Sequence, residues 1–150
     1  MYKHILVPLE HSPYDMAVIE HIRKLARMAH ASLVLIHVAD GWAARNIHHL
    51  NLQESEEMRR DREYLEDVAA TLAAEGFEVE ALLASGDPAR EITEAAEREG
   101  CDLIAMATHG HRFWNDLVRG SVATAVRHRS TVPVLLVRGH LTGHTETKPT

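Results

Sequence analysis

The sequence predicts an α/β fold in which helices cover both faces of a parallel β-sheet. The first observation is that strand-length apolar runs alternate with helix-length amphipathic patterns along the 150 residues. The second is that several runs are continuously apolar, which is typical of strands buried on both faces. A chain of this length can bury a core in one compact domain without disulfides or structural metals.

Five short runs rich in Leu, Ile and Val are the candidate strands, and they cover residues 5–7, 33–38, 79–83, 103–107 and 134–137. The only cysteine, Cys101, stands just before the fourth run, so no intramolecular disulfide can form. We expect Cys101 to be a small buried residue at a strand start. The neighbouring Asp102 does not favour the thiolate that a redox sensor needs.

The first helix is predicted from its start signals. Ser12 is a typical N-cap, Pro13 fits a first turn, and Asp15 follows three residues after the serine as a box-like partner. Behind them, apolar side chains recur at helical spacing, at Val18, Ile22, Leu25, Ala26 and Ala29.

Three further helices are predicted over roughly residues 53–75, 88–100 and 122–128. Gly76 is suited to end the first of these, because glycine readily adopts the left-handed conformation that follows many helices. Asp87 and Pro88 give the next helix a cap and a first-turn proline.

Composition argues against some classes of function. Sixteen Lys and Arg against 22 Asp and Glu leave a net charge of −6, which is unlike a general nucleic-acid binder with a basic face. No apolar stretch approaches the ~20 residues of a membrane span, and the first residues lack a signal-peptide pattern, so we expect a cytoplasmic protein. The 12 histidines would make the surface pH-sensitive if they titrate together; scattered surface and core histidines are the simpler interpretation.

Two segments lack a strand or helix period. Residues 39–52 include Trp42, His48 and His49, and residues 108–121 form a long connection of the kind that is usually functional in a compact domain. The last dozen residues are polar and contain two glycines and a proline. We therefore expect one domain over residues 1–138 and a flexible polar tail over residues 139–150.

The connection after the fourth strand has the features of a phosphate-binding site. Gly110 and Gly120 allow backbone amides to approach a ligand closely. Gly120 and Ser121 open the last helix, whose first turn offers unpaired N–H groups and the positive end of the helix dipole. The Ser121 hydroxyl can also donate to a phosphate oxygen.

This segment resembles the nucleotide signature of the universal stress protein family, in which a glycine, two residues, a glycine and nine residues precede Gly-Ser or Gly-Thr. Gly110 and Gly120-Ser121 match in spacing, whereas Ala107 stands in place of the first glycine. The resemblance extends over nearly the whole chain, through KHILVPLEHS, LVLIHV, SGDPAREI and VPVLLV. The chain is similar to the ATP-binding subgroup of this family, with a modified glycine motif.

The resemblance implies a Rossmann-like, doubly wound sheet of five parallel strands in the order 3-2-1-4-5. Strands one and four are then neighbours from which the chain leaves in opposite directions, and such a crevice is where α/β sheets bind ligands. An alanine at position 107 would cost about 1–2 kcal/mol in a left-handed backbone and nothing at an extended strand end. We expect Ala107 to be extended, because the residues before it read as a strand.

By position, the resemblance implies an adenine nucleotide, ATP or else ADP or AMP, with any Mg²⁺ or Mn²⁺ carried by its phosphates. Val38 would hold the adenine through its backbone, and Glu10 would accept the ribose hydroxyls where the family usually has an aspartate. No catalytic residue and no protein-bound metal is expected. The candidate contact residues are Pro8, Leu9, Glu10, Val38, Met106, Ala107, His109, Gly110, His111, Gly120, Ser121, Val122 and Ala123.

Three other functions stay open at this point. Slow ATP hydrolysis could use His109 or His111 as a general acid or base, although the chain has neither a Walker lysine motif nor GxGxxG. The same two histidines could share a metal ion. In a pure interaction module, the segment over residues 39–52 and the Phe113-Trp114 pair would contact a protein partner.

The last strand predicts a homodimer. In the family order it lies at the edge of the sheet, and an exposed apolar edge favours pairing with another chain. The resemblance implies antiparallel pairing across a two-fold axis, through Val132, Pro133, Val134, Leu135, Leu136 and Val137. Taken together, these features predict a stress-response protein that acts as a dimeric, nucleotide-bound regulatory switch on an unidentified protein partner, rather than as a fast enzyme.

Overall fold

The computed structural model describes residues 1–40, 53–109 and 120–139. Strands and helices alternate along the chain, as the apolar pattern predicts. The strands are β1 (His4–Pro8), β2 (Ser32–Asp40), β3 (Val79–Gly86), β4 (Leu103–His109) and β5 (Val134–Gly139). The helices are α1 (Asp15–Ala29), α2 (Gln53–Ala74), α3 (Pro88–Arg98) and α4 (Gly120–Arg129).

The five strands form one parallel sheet in the order β3-β2-β1-β4-β5. This confirms the α/β fold and the strand order that the resemblance implied. The central strand β1 pairs with β2 on one side and with β4 on the other. Because the connections leave β1 and β4 in opposite directions, a crevice opens at their carboxyl ends.

The sheet separates two apolar cores. Ile5 and Val7 of β1 point into the core beneath α1 and α2, whereas Leu6 between them points into the core beneath α3 and α4. All three are at most 1% exposed, as a strand covered on both faces requires. Burial on both sides explains why the runs are continuously apolar rather than alternating.

Cys101 is buried beside the second core, directly before β4. Burial raises the pKa of its thiol to about 11, and the charges of Glu99, Asp102 and Glu80 act in the same direction. The thiol is therefore protonated near neutral pH, which agrees with the structural role expected from the sequence.

The start of α1 differs from the prediction. The helix begins at Asp15 rather than next to Ser12, and Tyr14 occupies the N-cap position without a side-chain cap. The Asp15 carboxylate nevertheless accepts from the Ser12 N–H at 3.2 Å, as the predicted box-like partner does, and it also accepts from the amides of Glu10 and His11. The Ser12 hydroxyl oxygen accepts from the Tyr14 amide at 3.3 Å, which is the contact expected of a serine N-cap, although the regular helix begins three residues later.

The other helix ends follow their sequence signals. The Asp87 side chain accepts from the Arg90 amide at 3.0 Å and caps α3, with Pro88 in the first turn. Gly76 has φ 98° after α2, which is the left-handed conformation that favours glycine at this position. No helix in these ranges is long and apolar enough to cross a membrane.

Gly139 ends β5, one residue beyond the domain boundary predicted at residue 138. It is buried against Tyr14, and a Cβ atom at this position would lie 2.7 Å from the Tyr14 Cδ1 atom. The edge strand thus ends in close contact with the residue that precedes α1. The rest of the tail predicted over residues 139–150, from residue 140 onward, lies outside the described residues.

Candidate functional site

A pocket of about 190 Å³ opens at the carboxyl end of the sheet. Its walls come from the ends of three strands and from the first turns of α3 and α4. This is the crevice next to β1 and β4 at which doubly wound sheets bind ligands. The lining residues are Pro8, Leu9, Glu10, Ile36, His37, Val38, Pro88, Ile92, Met106, Ala107 and Val122.

The structure brings part of the predicted contact set together in this pocket, namely Pro8, Leu9, Glu10, Val38, Met106, Ala107 and Val122. Ala107 is extended within β4, where it pairs with Val137, so this position does not need the left-handed freedom of glycine. Their role as nucleotide contacts stays a prediction.

The other predicted contact residues are placed differently. Ala123 packs against the core beneath α3 and α4 rather than lining the pocket. His109 ends β4, and Gly120 and Ser121 begin α4. Gly110 and His111 lie outside the described residues, as do Phe113, Trp114, Trp42, His48 and His49.

Four residues of the pocket wall were not predicted from the sequence. Ile36 and His37 directly precede Val38 in β2, and Pro88 and Ile92 lie in the first half of α3. The Asp87-Pro88 helix start was a usable signal for the second pair, because α3 begins at the carboxyl end of the sheet. His37 had no such signal, since a histidine in an apolar run reads as an ordinary core residue.

The pocket combines an apolar wall with few polar groups. Leu9 and Ile92 are each 3% exposed and Met106 is 6% exposed, so these side chains are tightly packed at the base of the pocket. Glu10 is exposed at the rim. A mostly apolar pocket with a small number of polar groups at fixed positions is the usual form of a small-molecule site.

A buried carboxylate holds the loop between β1 and α1. Asp15 is 1% exposed, and it accepts from the amides of Glu10 at 2.9 Å, His11 at 2.9 Å and Ser12 at 3.2 Å. It also accepts from the Tyr64 hydroxyl of α2 at 2.6 Å. A buried charge with this many donors is compensated, and the bonds fix the backbone of Glu10 at the rim of the pocket.

Tyr64 and His11 pack together above this carboxylate. Burial raises the pKa of Tyr64 well above its usual value, and the hydrogen bond to Asp15 and the charge of Asp15 add to the effect, so the hydroxyl is protonated near neutral pH and donates to Asp15. The His11 ring stacks on Tyr64 with 4.1 Å between ring centroids. His11 has φ 62°, a left-handed conformation that costs a non-glycine residue about 1–2 kcal/mol and that its amide bond to Asp15 supports.

A second carboxylate, Asp61 of α2, lies between two histidines. Its Oδ1 atom is 2.7 Å from Nδ1 of His11, and its Oδ2 atom is 3.3 Å from Nε2 of His37. His37 lines the pocket, and its Nδ1 atom is 2.8 Å from the carbonyl oxygen of Leu9. A chain of polar contacts thus runs from α2 to the pocket wall.

These side chains do not form a metal centre. Within residues 1–40, 53–109 and 120–139, no group of three or more His, Cys, Asp and Glu side chains could hold a metal ion. The alternative that His109 and His111 share a metal cannot be placed on this geometry, because those side chains lie outside the described part of the chain.

Comparison with known proteins points to one family. The family model described as the universal stress protein family matches residues 1–138. Universal stress protein MJ0577 of Methanocaldococcus jannaschii is 29% identical over 155 aligned residues, which cover 92% of this chain and 96% of that protein. The solved structure of MJ0577 superimposes with a TM-score of 0.82 at 28% identity, over 93% of this chain and 98% of that one.

Two further solved structures share the fold at lower identity. The universal stress protein of Archaeoglobus fulgidus in complex with dAMP has a TM-score of 0.68 at 22% identity, over 91% of this chain and 98% of that chain. A universal stress protein in complex with cAMP has a TM-score of 0.69 at 20% identity, over 91% and 97% of the two chains. Since the family match extends over β1 to β5 and all four helices, the chain belongs to the universal stress protein family.

Proposed function

We propose that this chain binds an adenine nucleotide, ATP or else ADP or AMP, in the pocket at the carboxyl ends of β1, β2 and β4. The observation that carries the proposal is that residues from all three strands and two helix starts converge on this one pocket at the switch point of the sheet. The adenine class of ligand is supported by the dAMP and cAMP complexes of proteins with the same fold.

The backbone of Val38 is suited to contact the edge of the base. In β2, Ser32 donates to Lys3 and Ile36 accepts from Leu9, both on the β1 side of the strand. Residues two apart in a strand point their backbone groups to the same side, so Val38 points its N–H and C=O in that direction as well. Pairing of β1 with β2 ends at Pro8 and Ile36, and Val38 therefore faces the pocket just beyond the end of β1.

The residues of the pocket wall suggest where the base, the sugar and the phosphates of the nucleotide would lie. The apolar side chains of Leu9, Ile92 and Met106 suit the faces of a planar base. A volume of about 190 Å³ is below the ~300 Å³ of a typical complete ligand site, so the pocket would enclose the base and part of the sugar. The phosphates, with any Mg²⁺ or Mn²⁺ that they carry, would then extend toward the start of α4 at Gly120.

Replacing Glu10 with glutamine should weaken ATP binding about tenfold. We expect its carboxylate to accept the ribose hydroxyls, and a charged hydrogen bond contributes more than the neutral bond that an amide would leave. Calorimetric titration measures the dissociation constant. The matched control is Glu20→Gln, which removes the same charge from an exposed position in α1, and it should bind like the unmodified protein.

A comparison of ATP with 2′-deoxy-ATP tests whether Glu10 contacts the ribose. The Glu10→Gln effect should shrink for 2′-deoxy-ATP, which has lost one of the two hydroxyls. If the unmodified protein binds none of ATP, ADP and AMP, the proposed function is wrong. If it binds ATP but Glu10→Gln binds equally well, only the role of Glu10 is wrong.

We further propose that the nucleotide serves as a regulatory signal and not as a rapidly consumed substrate. The one histidine in the described pocket wall, His37, has its ring nitrogens 2.8 Å from the carbonyl oxygen of Leu9 and 3.3 Å from the Asp61 carboxylate, so both nitrogens are turned toward protein groups and not toward a bound nucleotide. The switch would act in the stress response on a protein partner, and a cytoplasmic location stays a prediction from the sequence.

The switch is proposed to be a homodimer that pairs through β5. This strand lies at the sheet edge, and Leu136 is 39% exposed there. Leu136→Arg should raise the dimer dissociation constant by a factor of about 100 or more, because two-fold symmetry places the substitution twice in one interface. Sedimentation equilibrium measures this, with Met28→Arg on α1 as the control at another exposed apolar residue. A monomeric unmodified protein at micromolar concentration would contradict the proposal.

A further inference from the structure

A tyrosine of α2 reaches the loop that forms one rim of the pocket. The Tyr64 hydroxyl donates to Oδ2 of Asp15 at 2.6 Å, which is the shortest of the four bonds described above for this carboxylate. Asp15 is only 1% exposed, so a donor that it loses is costly to replace. Tyr64 is therefore a contact through which α2 can act on the loop between β1 and α1.

The two oxygens of Asp15 divide the donors between them. Oδ1 accepts from the Glu10 amide, whereas Oδ2 accepts from the amides of His11 and Ser12 and from the Tyr64 hydroxyl. The Tyr64 bond comes from outside the loop, so it restrains the carboxylate independently of the amides that the loop itself supplies. A carboxylate held in one orientation also holds the three amides that are bound to it.

The packing of α2 gives the Tyr64 hydroxyl a fixed position. The next residue, Leu65, is 1% exposed and Leu72 is 2% exposed, and both pack in the core beneath α1 and α2. The Tyr64 ring packs against the same core and stacks on the His11 ring. Because both the helix and the ring are packed, the hydroxyl has little freedom to follow the loop if the loop moves.

A second bond extends the restraint from the backbone of the loop to the side chain of Glu10. The Ser12 amide donates to Asp15 at 3.2 Å, and the Ser12 hydroxyl donates to Oε2 of Glu10 at 3.3 Å. The same hydroxyl oxygen accepts from the Tyr14 amide at 3.3 Å, since a hydroxyl donates and accepts at the same time. The Glu10 amide is thus held by Asp15 itself, and one of its carboxylate oxygens is held by Ser12, which Asp15 also binds.

Resting on the nucleotide binding and the role of Glu10 proposed above, we infer that Tyr64 is a positioning residue that orients the Glu10 carboxylate through Asp15 and Ser12. Tyr64 lies outside the pocket lining that the described residues form, so it does not act by touching the ligand. Without its hydroxyl, Oδ2 of Asp15 keeps two amide donors, the carboxylate can rotate, and Glu10 samples more than one arrangement. Affinity for ATP should then fall about fivefold, because binding must restore the arrangement that Tyr64 holds in the free protein.

The test is a double-mutant cycle of Tyr64→Phe and Glu10→Gln, with ATP as the ligand and calorimetric titration as the measurement. Phenylalanine keeps the ring that packs against the core and stacks on His11, so only the hydroxyl is lost. Tyr64→Phe alone should weaken ATP binding about fivefold, whereas in the Glu10→Gln protein the same change should weaken it by less than about twofold. A general loss of folding stability would act equally in both backgrounds.

Two further measurements make the result specific to this hydroxyl. Tyr2→Phe removes a hydroxyl ahead of β1, at the opposite end of the sheet from the pocket, and should bind ATP like the unmodified protein. In the nucleotide-free protein, hydrogen exchange followed by NMR should become faster at the amides of Glu10, His11 and Ser12 in Tyr64→Phe but not in Tyr2→Phe. The exchange rates test the restraint on the loop without depending on the affinity for ATP.

The outcomes separate this inference from the function on which it rests. If the unmodified protein binds none of ATP, ADP and AMP, the proposed nucleotide binding is wrong and the role of Tyr64 falls with it. If the unmodified protein binds ATP but Tyr64→Phe binds it equally well, loses the same factor in both backgrounds, or shows no faster exchange in the loop, nucleotide binding stands and the positioning role of Tyr64 is refuted.

Discussion

Asp15→Ala should lower the free energy of unfolding by about 3–5 kcal/mol. The substitution leaves three consecutive amides and the Tyr64 hydroxyl without their shared acceptor, and each partly buried donor that loses its partner costs about 1–3 kcal/mol before the loop relaxes. His11 would also lose the bond that supports its left-handed backbone. Urea unfolding monitored by circular dichroism measures the change.

Asp15→Asn is the control that separates charge from shape. Its amide keeps one oxygen acceptor but turns an NH₂ group toward the donors, so we expect an intermediate loss of stability. Both variants should also weaken ATP binding, since the captured amides fix Glu10 at the pocket rim. A loss below about 1 kcal/mol for Asp15→Ala would mean that water replaces the carboxylate, and that the loop does not depend on it.

Ile104→Ala should have an effect of similar size through a different mechanism. Ile104 of β4 is 0% exposed and packs in the core beneath α3 and α4. Removing three buried carbon atoms there loses their transfer free energy and leaves a cavity, which together cost about 3–4 kcal/mol. The matched variant Ile104→Val removes one carbon and should cost about 1 kcal/mol.

The same urea titrations measure both Ile104 variants. Because the side chain faces the core and not the pocket, ATP affinity at a temperature where the variants stay folded should change less than threefold. Equal destabilisation by alanine and valine would show that the core around Ile104 collapses to fill the space, contrary to close packing between β4 and the two helices.

The strands and helices could be predicted from the sequence because burial of a strand leaves a run of apolar residues. A strand with both faces covered must be apolar at every position, as at Ile5, Leu6 and Val7. The edge strands β3 and β5 are only partly buried, and β3 includes Glu80, but their short apolar runs were still sufficient to predict them. The order of the strands came from the resemblance and not from the pattern, since apolar runs do not state which neighbour each one pairs with. The same apolar run also predicted that Ala107 is extended, and Ala107 does lie within β4, paired with Val137.

The start of α1 and the histidine–carboxylate contacts were beyond local patterns. Ser12 and Asp15 make the contacts of the predicted capping box, but the Asp15 carboxylate also binds the amides of Glu10 and His11, which no local spacing indicates. His37 and Asp61 are 24 residues apart and meet only because α2 packs beside β2. No spacing rule links two residues that tertiary packing brings together.

By binding three successive amides, Asp15 would also decide the orientation of the nucleotide proposed above. Successive peptide N–H groups in a tight loop commonly bind phosphate. In this loop, however, the N–H groups of three successive residues already donate to the Asp15 carboxylate. A phosphate approaching from this side would find the donors occupied and would meet the negative charge of Glu10. The anionic end of the proposed ligand would thereby be directed toward the start of α4, and the sugar would lie beside the end of β1.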